Sequence, residues 1–224
     1  MDWPLLLSFY PSLSEGIAIT FGLLFSGLAL GLALGAFICW VRMQRIMLLA
    51  PIMDAYVLFF RGTPLLVQLF AIYFGLGQFE FIRESAAWVL LREPWFCAAL
   101  ALGLNSAAFT SEIMRGGILG VERGQLEAAE AYGFGTAVTA RVILLPQALR
   151  IALPAYSNEV ILMLKGTALA STISIMELTG IARRLTSQTF APFEAFIAAG
   201  SIYLAISIML TSAFAAIERR QRWS

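Results

Sequence analysis

Long apolar runs, separated by short charged stretches, dominate the chain. Positions 16–41, 62–79, 94–111 and 195–217 contain no Asp, Glu, Lys or Arg. Positions 142–164 are similarly apolar but carry Arg150 and Glu159. An apolar lead-in from Ile46, interrupted by Asp54 and Arg61, precedes the run at 62–79. A helix needs about 20 apolar residues to cross a hydrocarbon core about 30 Å thick. The pattern therefore predicts five transmembrane helices, at about 16–41, 54–78, 94–111, 146–165 and 195–217, in an all-α membrane protein. No Gly/Ser linker, low-complexity tract or internal repeat divides the sequence, so positions 1–224 are expected to form one transmembrane domain.

An odd number of spans places the two ends on opposite sides. With the N-terminus outside, the inner segments hold Arg42, Arg45, Arg115, Arg123, Arg141, Arg150, Arg219, Arg220 and Arg222. The outer segments hold Arg83, Arg92, Arg183 and Arg184. The excess of inner arginine predicts a periplasmic N-terminus and a cytoplasmic C-terminus; the Arg183–Arg184 pair runs against it. The first residues, MDWPLLLSFY, lack the basic stretch of a cleavable signal, so the first span is expected to remain as a membrane helix.

Composition agrees with the pattern. Of the 224 residues, 60% are hydrophobic and 13% charged, about half the charge of a typical soluble chain. Mean hydropathy is +0.82. The absence of histidine removes His-based catalysis and His-ligated zinc, and no carboxylates cluster at metal-binding spacing. Cys39 and Cys97 lie in separate apolar runs and form no disulfide framework. A net charge of +1 without a basic tail gives no footprint for nucleic acid. The expected surroundings are a lipid bilayer.

Between the third and fourth spans lies the longest polar stretch, positions 112–146, predicted to face the cytoplasm. Residues 125–132 are rich in the helix formers Glu and Ala. Gly133 and Gly135 then end the helix or bend the chain. Ala128 and Ala129 offer a small-residue face, a second short helix is expected over 136–145, and Pro146 leads into the fourth span. Such a helix–bend–helix either docks a cytoplasmic partner or lies on the bilayer as an amphipathic interfacial segment.

Polar groups at membrane depth are candidates for a solute path. Glu159, beside Asn158 in the fourth span, could pair with a cationic group, or could form a structural ion pair with Arg61. Arg61 sits deep if the second span starts near Pro51, and at the inner interface if it starts at Gly62. Gly62 and Pro64 favour an interruption, with Thr63 capping a new half-helix whose first residue is Pro64. The positive end of that half-helix, with Arg61, suits a substrate carboxylate. Gln68 and Asn105 are further candidates to line the path or to bond between helices. Pro154 predicts a kink in the fourth span. Gly27, Gly31 and Gly35 permit close helix packing on one face of the first span.

The loop also carries a recognisable pattern. Glu127-Ala128-Ala129, three residues, Gly133, nine residues, Ile143, one residue and Leu145-Pro146 resembles the EAA motif of binding-protein-dependent ABC importer permeases. Arg61-Gly62-Thr63-Pro64-Leu65, NSAAFTSEIMRGG at 105–117 and ALPAYSNEVILMLKGTALA at 152–170 resemble the polar amino acid permeases, most closely the histidine, arginine, lysine, ornithine and opine branch. The resemblance implies a type I ABC importer permease fold in a bacterial inner membrane. It implies that Glu127, Ala128, Ala129, Gly133, Ile143, Leu145 and Pro146 belong to a coupling helix engaging a cytoplasmic ATPase dimer. A second permease subunit, favoured as a different chain, and a periplasmic amino-acid-binding protein complete the implied assembly. The sequence has no GxxxxGK[ST] phosphate loop, so no cofactor is expected in this chain, with ATP and Mg bound by the partner ATPase. The competing readings are an ATP-independent secondary transporter or channel and, more remotely, a membrane enzyme.

Overall fold

The computed structural model describes residues 2–222. Its elements are helical: α1 (Trp3–Ser8), α2 (Tyr10–Met43), α3 (Leu49–Gly62), α4 (Leu65–Phe70), α5 (Glu80–Arg83), α6 (Trp88–Leu91), α7 (Pro94–Leu119), α8 (Arg123–Ala131), α9 (Thr136–Thr139), α10 (Leu145–Gly166), α11 (Leu178–Thr189) and α12 (Pro192–Arg222). Among the described residues, four continuous helical stretches, containing α2, α7, α10 and α12, are long and apolar enough to cross a membrane. Helix α3 and α4 with its extension to Gln78 meet the same test together as a pair bent by 108°, a fifth when counted as one span.

The helices overrun the charge-free runs that predicted them. Helix α2 starts at Tyr10, before Glu15, and α7 continues to Leu119 through Glu112 and Arg115. Charged residues can extend a helix beyond the hydrocarbon when they pair along its face, as Glu112 and Arg115 do at 2.7 Å. The polar loop therefore begins about two turns later than expected. Its second half also differs: after α9 a π-turn over Ala140–Leu144 leads directly into α10, so residues 136–145 form no separate helix. Helix α10 passes through Pro154 unbroken.

A seam of small residues joins α2 to α7. A Cβ on Gly31 would lie 2.7 Å from the Ser106 Cβ, and one on Gly35 would lie 2.9 Å from that of Thr110. At Gly27 it would meet Leu102 and, on α10, the Met163 sulfur at 2.9 Å. Residues four apart share a helix face, so 27, 31 and 35 seat against 102, 106 and 110. Without a hydrophobic drive between helices in lipid, such close backbone approach supplies van der Waals contact.

Helix α11 is fixed by polar contacts. Glu177, fully buried, caps its first turn by accepting from the amides of Thr179 and Gly180 and also accepts from the Tyr203 hydroxyl of α12 at 2.6 Å. Burial pushes this carboxyl above its ordinary range, and the donors oppose that rise. Arg183 and Arg184 serve here too: Arg183 donates to the Ser171 carbonyl and Arg184 lies 3.9 Å from Glu15.

Gly31→Val should lower stability by about 1–3 kcal/mol through overpacking, read as an earlier thermal melt in detergent. Gly124→Ala, with open space around its Cβ position, should melt like the parent. Equal melts for both would contradict the seam.

Candidate functional site

The second span breaks at Gly62–Pro64, where the chain was expected to be interrupted. Pro64 has an extended ψ of 134° and α4 begins at Leu65. Thr63 does not cap α4. It ends α3, and its hydroxyl donates back to the Phe59 carbonyl at 2.8 Å. Pro64, lacking an N–H, takes the N-cap position instead of the first helical one.

Breaking a helix frees carbonyls that must find donors in a low-dielectric setting. Gln68 and Asn105 supply them. Gln68 Nε2 donates to the Phe60 carbonyl at 2.9 Å, the Thr63 carbonyl at 3.1 Å and the Thr63 hydroxyl at 2.8 Å. Asn105 Nδ2, reaching from α7, donates to the Phe60 carbonyl at 3.2 Å and to Gln68 Oε1 at 3.0 Å. One amide side chain on each side thus holds the bend and joins it to α7.

Two cavities flank the break. A cavity of about 190 Å³ is lined by Leu65, Asn105, Phe109, Glu159, Leu162 and Met163, among others. Its one ionisable group is Glu159, 6% exposed. Asn158, its neighbour, is exposed and does not line this cavity, because consecutive helical residues point about 100° apart.

The second cavity, about 470 Å³, is lined by Arg42, Asp54, Arg61, Gly62, Phe109, Glu112 and Arg115, with two apolar residues. Glu112 is its hub, bonded to Arg42 and to Arg115. Arg42 also reaches Asp54 at 2.6 Å. Arg61 lies 4.0 Å from Glu112, with its guanidinium carbon 5.4 Å from the centre of the Phe109 ring. Arg61 therefore pairs with Glu112 and not, as one reading had it, with Glu159. Arg42, Asp54, Glu112 and Arg115 were not singled out from sequence. The i,i+3 spacing of Glu112 and Arg115 was a visible signal, but Arg42 lies 70 positions from Glu112.

The loop between α7 and α10 stands clear of the bundle. Glu127 and Ala128 of α8 are exposed, while Ala129 is buried, so the two alanines do not share a face. Gly133 adopts φ +78°, a conformation that favours glycine, and it turns the chain after α8. Beyond it Phe134, Val138, Val142 and Leu145 are all exposed, and so is Pro146; Ile143 is partly covered.

Against this geometry, residues 27–223 match the model of a protein family described as the inner membrane component of binding-protein-dependent transport systems. The chain belongs to this family. As such a permease it is similar to the nopaline transport system permease protein NocM of Agrobacterium fabrum, at 46% identity over 94% of this chain and 88% of that protein. It is 44% identical to the histidine/lysine/arginine/ornithine transport system permease protein HisM of Escherichia coli K12, over 92% and 87%. A chain from the crystal structure of an amino acid ABC transporter with histidines superposes with a TM-score of 0.88 at 34% identity, covering 98% of the permease and 99% of that chain. The inward-facing MetNI methionine ABC transporter shares the fold, with a TM-score of 0.69 at 19% identity. The fold is that of type I ABC importer permeases. The family sets aside the readings as a secondary transporter, channel or catalytic enzyme.

Gln68→Leu should remove the donors at the break and lower stability by about 1–3 kcal/mol, the cost of leaving buried carbonyls short of partners. A detergent-solubilised variant melting with the parent would show that the bend does not depend on this amide.

Proposed function

We propose that this permease carries basic amino acids or opines across a bacterial inner membrane, driven by a separate cytoplasmic ATPase dimer acting on the loop between α7 and α10. The supporting observation is that this loop, with Glu127 and Gly133 in the EAA pattern, stands out from the bundle and exposes Tyr132 and Phe134 on either side of the bend. Exposed apolar patches of this kind mark interaction sites. The coupling residues on this reading are Glu127, Ala128, Ala129, Gly133, Ile143, Leu145 and Pro146. ATP and Mg belong to the ATPase. A periplasmic binding protein delivers the solute, and a second permease, favoured as a different chain, completes the path. The N-terminus is periplasmic and the C-terminus cytoplasmic.

The substrate class rests on Glu159. A single buried carboxylate in a largely apolar cavity favours a cation, since an unpaired charge there is costly. Asn105 adds a polar group to the same wall, and Arg61 across the break offers a charge for a carboxylate. Thr63 and Gln68 hold the bend between them. Asn158 faces away from that cavity and is the weakest member of the set. The names of the opine and basic amino acid permeases to which the chain is similar support the same class.

In proteoliposomes holding the whole complex, labelled arginine, lysine, histidine and octopine should be taken up in competition with one another, and glutamate should not compete. Glu159→Gln should reduce cationic uptake about 10- to 100-fold, the loss expected when a charge-assisted contact is removed. Undiminished uptake would remove Glu159 from the path. Gly133→Val should leave the permease in the membrane while abolishing solute-stimulated ATP hydrolysis. Normal stimulation in that variant would refute the coupling role of the bend.

A further inference from the structure

The two cavities beside the helix break share one wall residue, Phe109. The break passes between them: Gly62 lines the charged cavity and Leu65 lines the cavity that holds Glu159. We infer that the Phe109 ring is a septum between two chambers of the solute path, held shut by the Arg61 guanidinium.

The geometry supplies both the barrier and its latch. Phe109 lies on α7, one turn beyond Asn105 and one turn before Glu112, so it stands between the polar groups of the two chambers. A phenyl ring in that place blocks a hydrated or charged solute by refusing to solvate it, as hydrophobic constrictions do in channels. Arg61, on α3, lies 5.4 Å from the ring centre, within the range of a cation–π contact. It is also 4.0 Å from Glu112, the longest contact at that carboxylate; Arg115 approaches to 2.7 Å. The charged chamber holds three arginines and two carboxylates, one positive charge in excess, and Arg61 is the most exposed arginine of the three. Displacing α3 relative to α7 would part Arg61 from Glu112 and Phe109 together. The freed arginine would then face the opened passage, where it suits the carboxylate of a departing amino acid. Glu159 on one side and Arg61 on the other thus become successive stations for the two ends of a zwitterionic solute, separated by one ring.

This inference rests on the importer reading, but its test does not depend on which solute is carried. The assembled, nucleotide-free complex, with Cys39→Ala and Cys97→Ala in this chain, receives a membrane-impermeant thiol reagent on the side of the α8 loop. Leu58→Cys reports on the charged chamber, and Met163→Cys, at a position 5% exposed, on the Glu159 cavity. Thiol reactivity follows access, so Leu58→Cys should react at least about tenfold faster than Met163→Cys while the ring is present. Adding Phe109→Ala should raise the Met163→Cys rate about tenfold, and Phe109→Tyr should not. Should Phe109→Ala fail to assemble with the ATPase, Arg61→Ala, which releases the ring without removing it, should raise the rate in the same direction. A Met163→Cys rate already equal to that of Leu58→Cys, or one unmoved by the ring or latch substitutions, would overturn the septum. Failure of every basic amino acid and opine to be transported would overturn the substrate class and leave the labelling contrast intact.

Discussion

A membrane helix that breaks must find donors for the carbonyls it frees, and the rest of this path is arranged around how that demand is met. Gln68 and Asn105 bond the Phe60 and Thr63 carbonyls. Because those donors come from both α4 and α7, the bend is tied to the third span. The 108° turn then sets Arg61 and Gly62 on one side and Leu65 on the other. Were the second span straight, Arg61 and Leu65 would lie on one continuous helix wall and not on either side of a break. The positions of Arg61, Thr63 and Gln68 relative to one another follow from that turn.

Rigidity and freedom are distributed unequally around it. The glycine seam locks α2 to α7 at backbone distance, and Arg42 extends the lock to Glu112 and Asp54. The loop between α7 and α10 stands outside this body. Helix α7 carries Asn105, Phe109 and Glu112, and α10 carries Glu159. A partner acting on the intervening loop would therefore act on two of the three helices that line the Glu159 cavity. This arrangement suits alternating access, in which nearly rigid bodies rock around a site near mid-membrane.

Much of the architecture was legible because four of the five expected spans leave a charge-free run of 18 residues or more, and the EAA spacing located the loop. The break was legible because Gly62 and Pro64 are poor residues for a helix interior. Its chemistry was not: a hydroxyl beside a proline can bond forward to a new helix or back to the old one, and Thr63 bonds back to Phe59. The helix of the third span runs eight residues past the charge-free run because Glu112 and Arg115, paired along one face, stay helical. The Arg42–Asp54–Glu112 cluster was hidden for a related reason. Counting arginines by side treats each as an independent surface charge, and nothing in a linear pattern brings together positions 12 and 70 apart. Glu159 was visible as an isolated carboxylate in an apolar run, but its separation from Arg61 depends on the bend.

The most direct measurement of the central claim, that the exposed loop receives work from a nucleotide-driven partner, is solute flux under two separate energy sources. Proteoliposomes containing this permease, its partner permease and the ATPase, supplied with a cognate binding protein, would be given either ATP on the loop side or an ion gradient without nucleotide. Accumulation of labelled arginine with ATP alone, and none with the gradient alone, is the predicted result. Accumulation driven by the gradient in the absence of nucleotide would contradict the account.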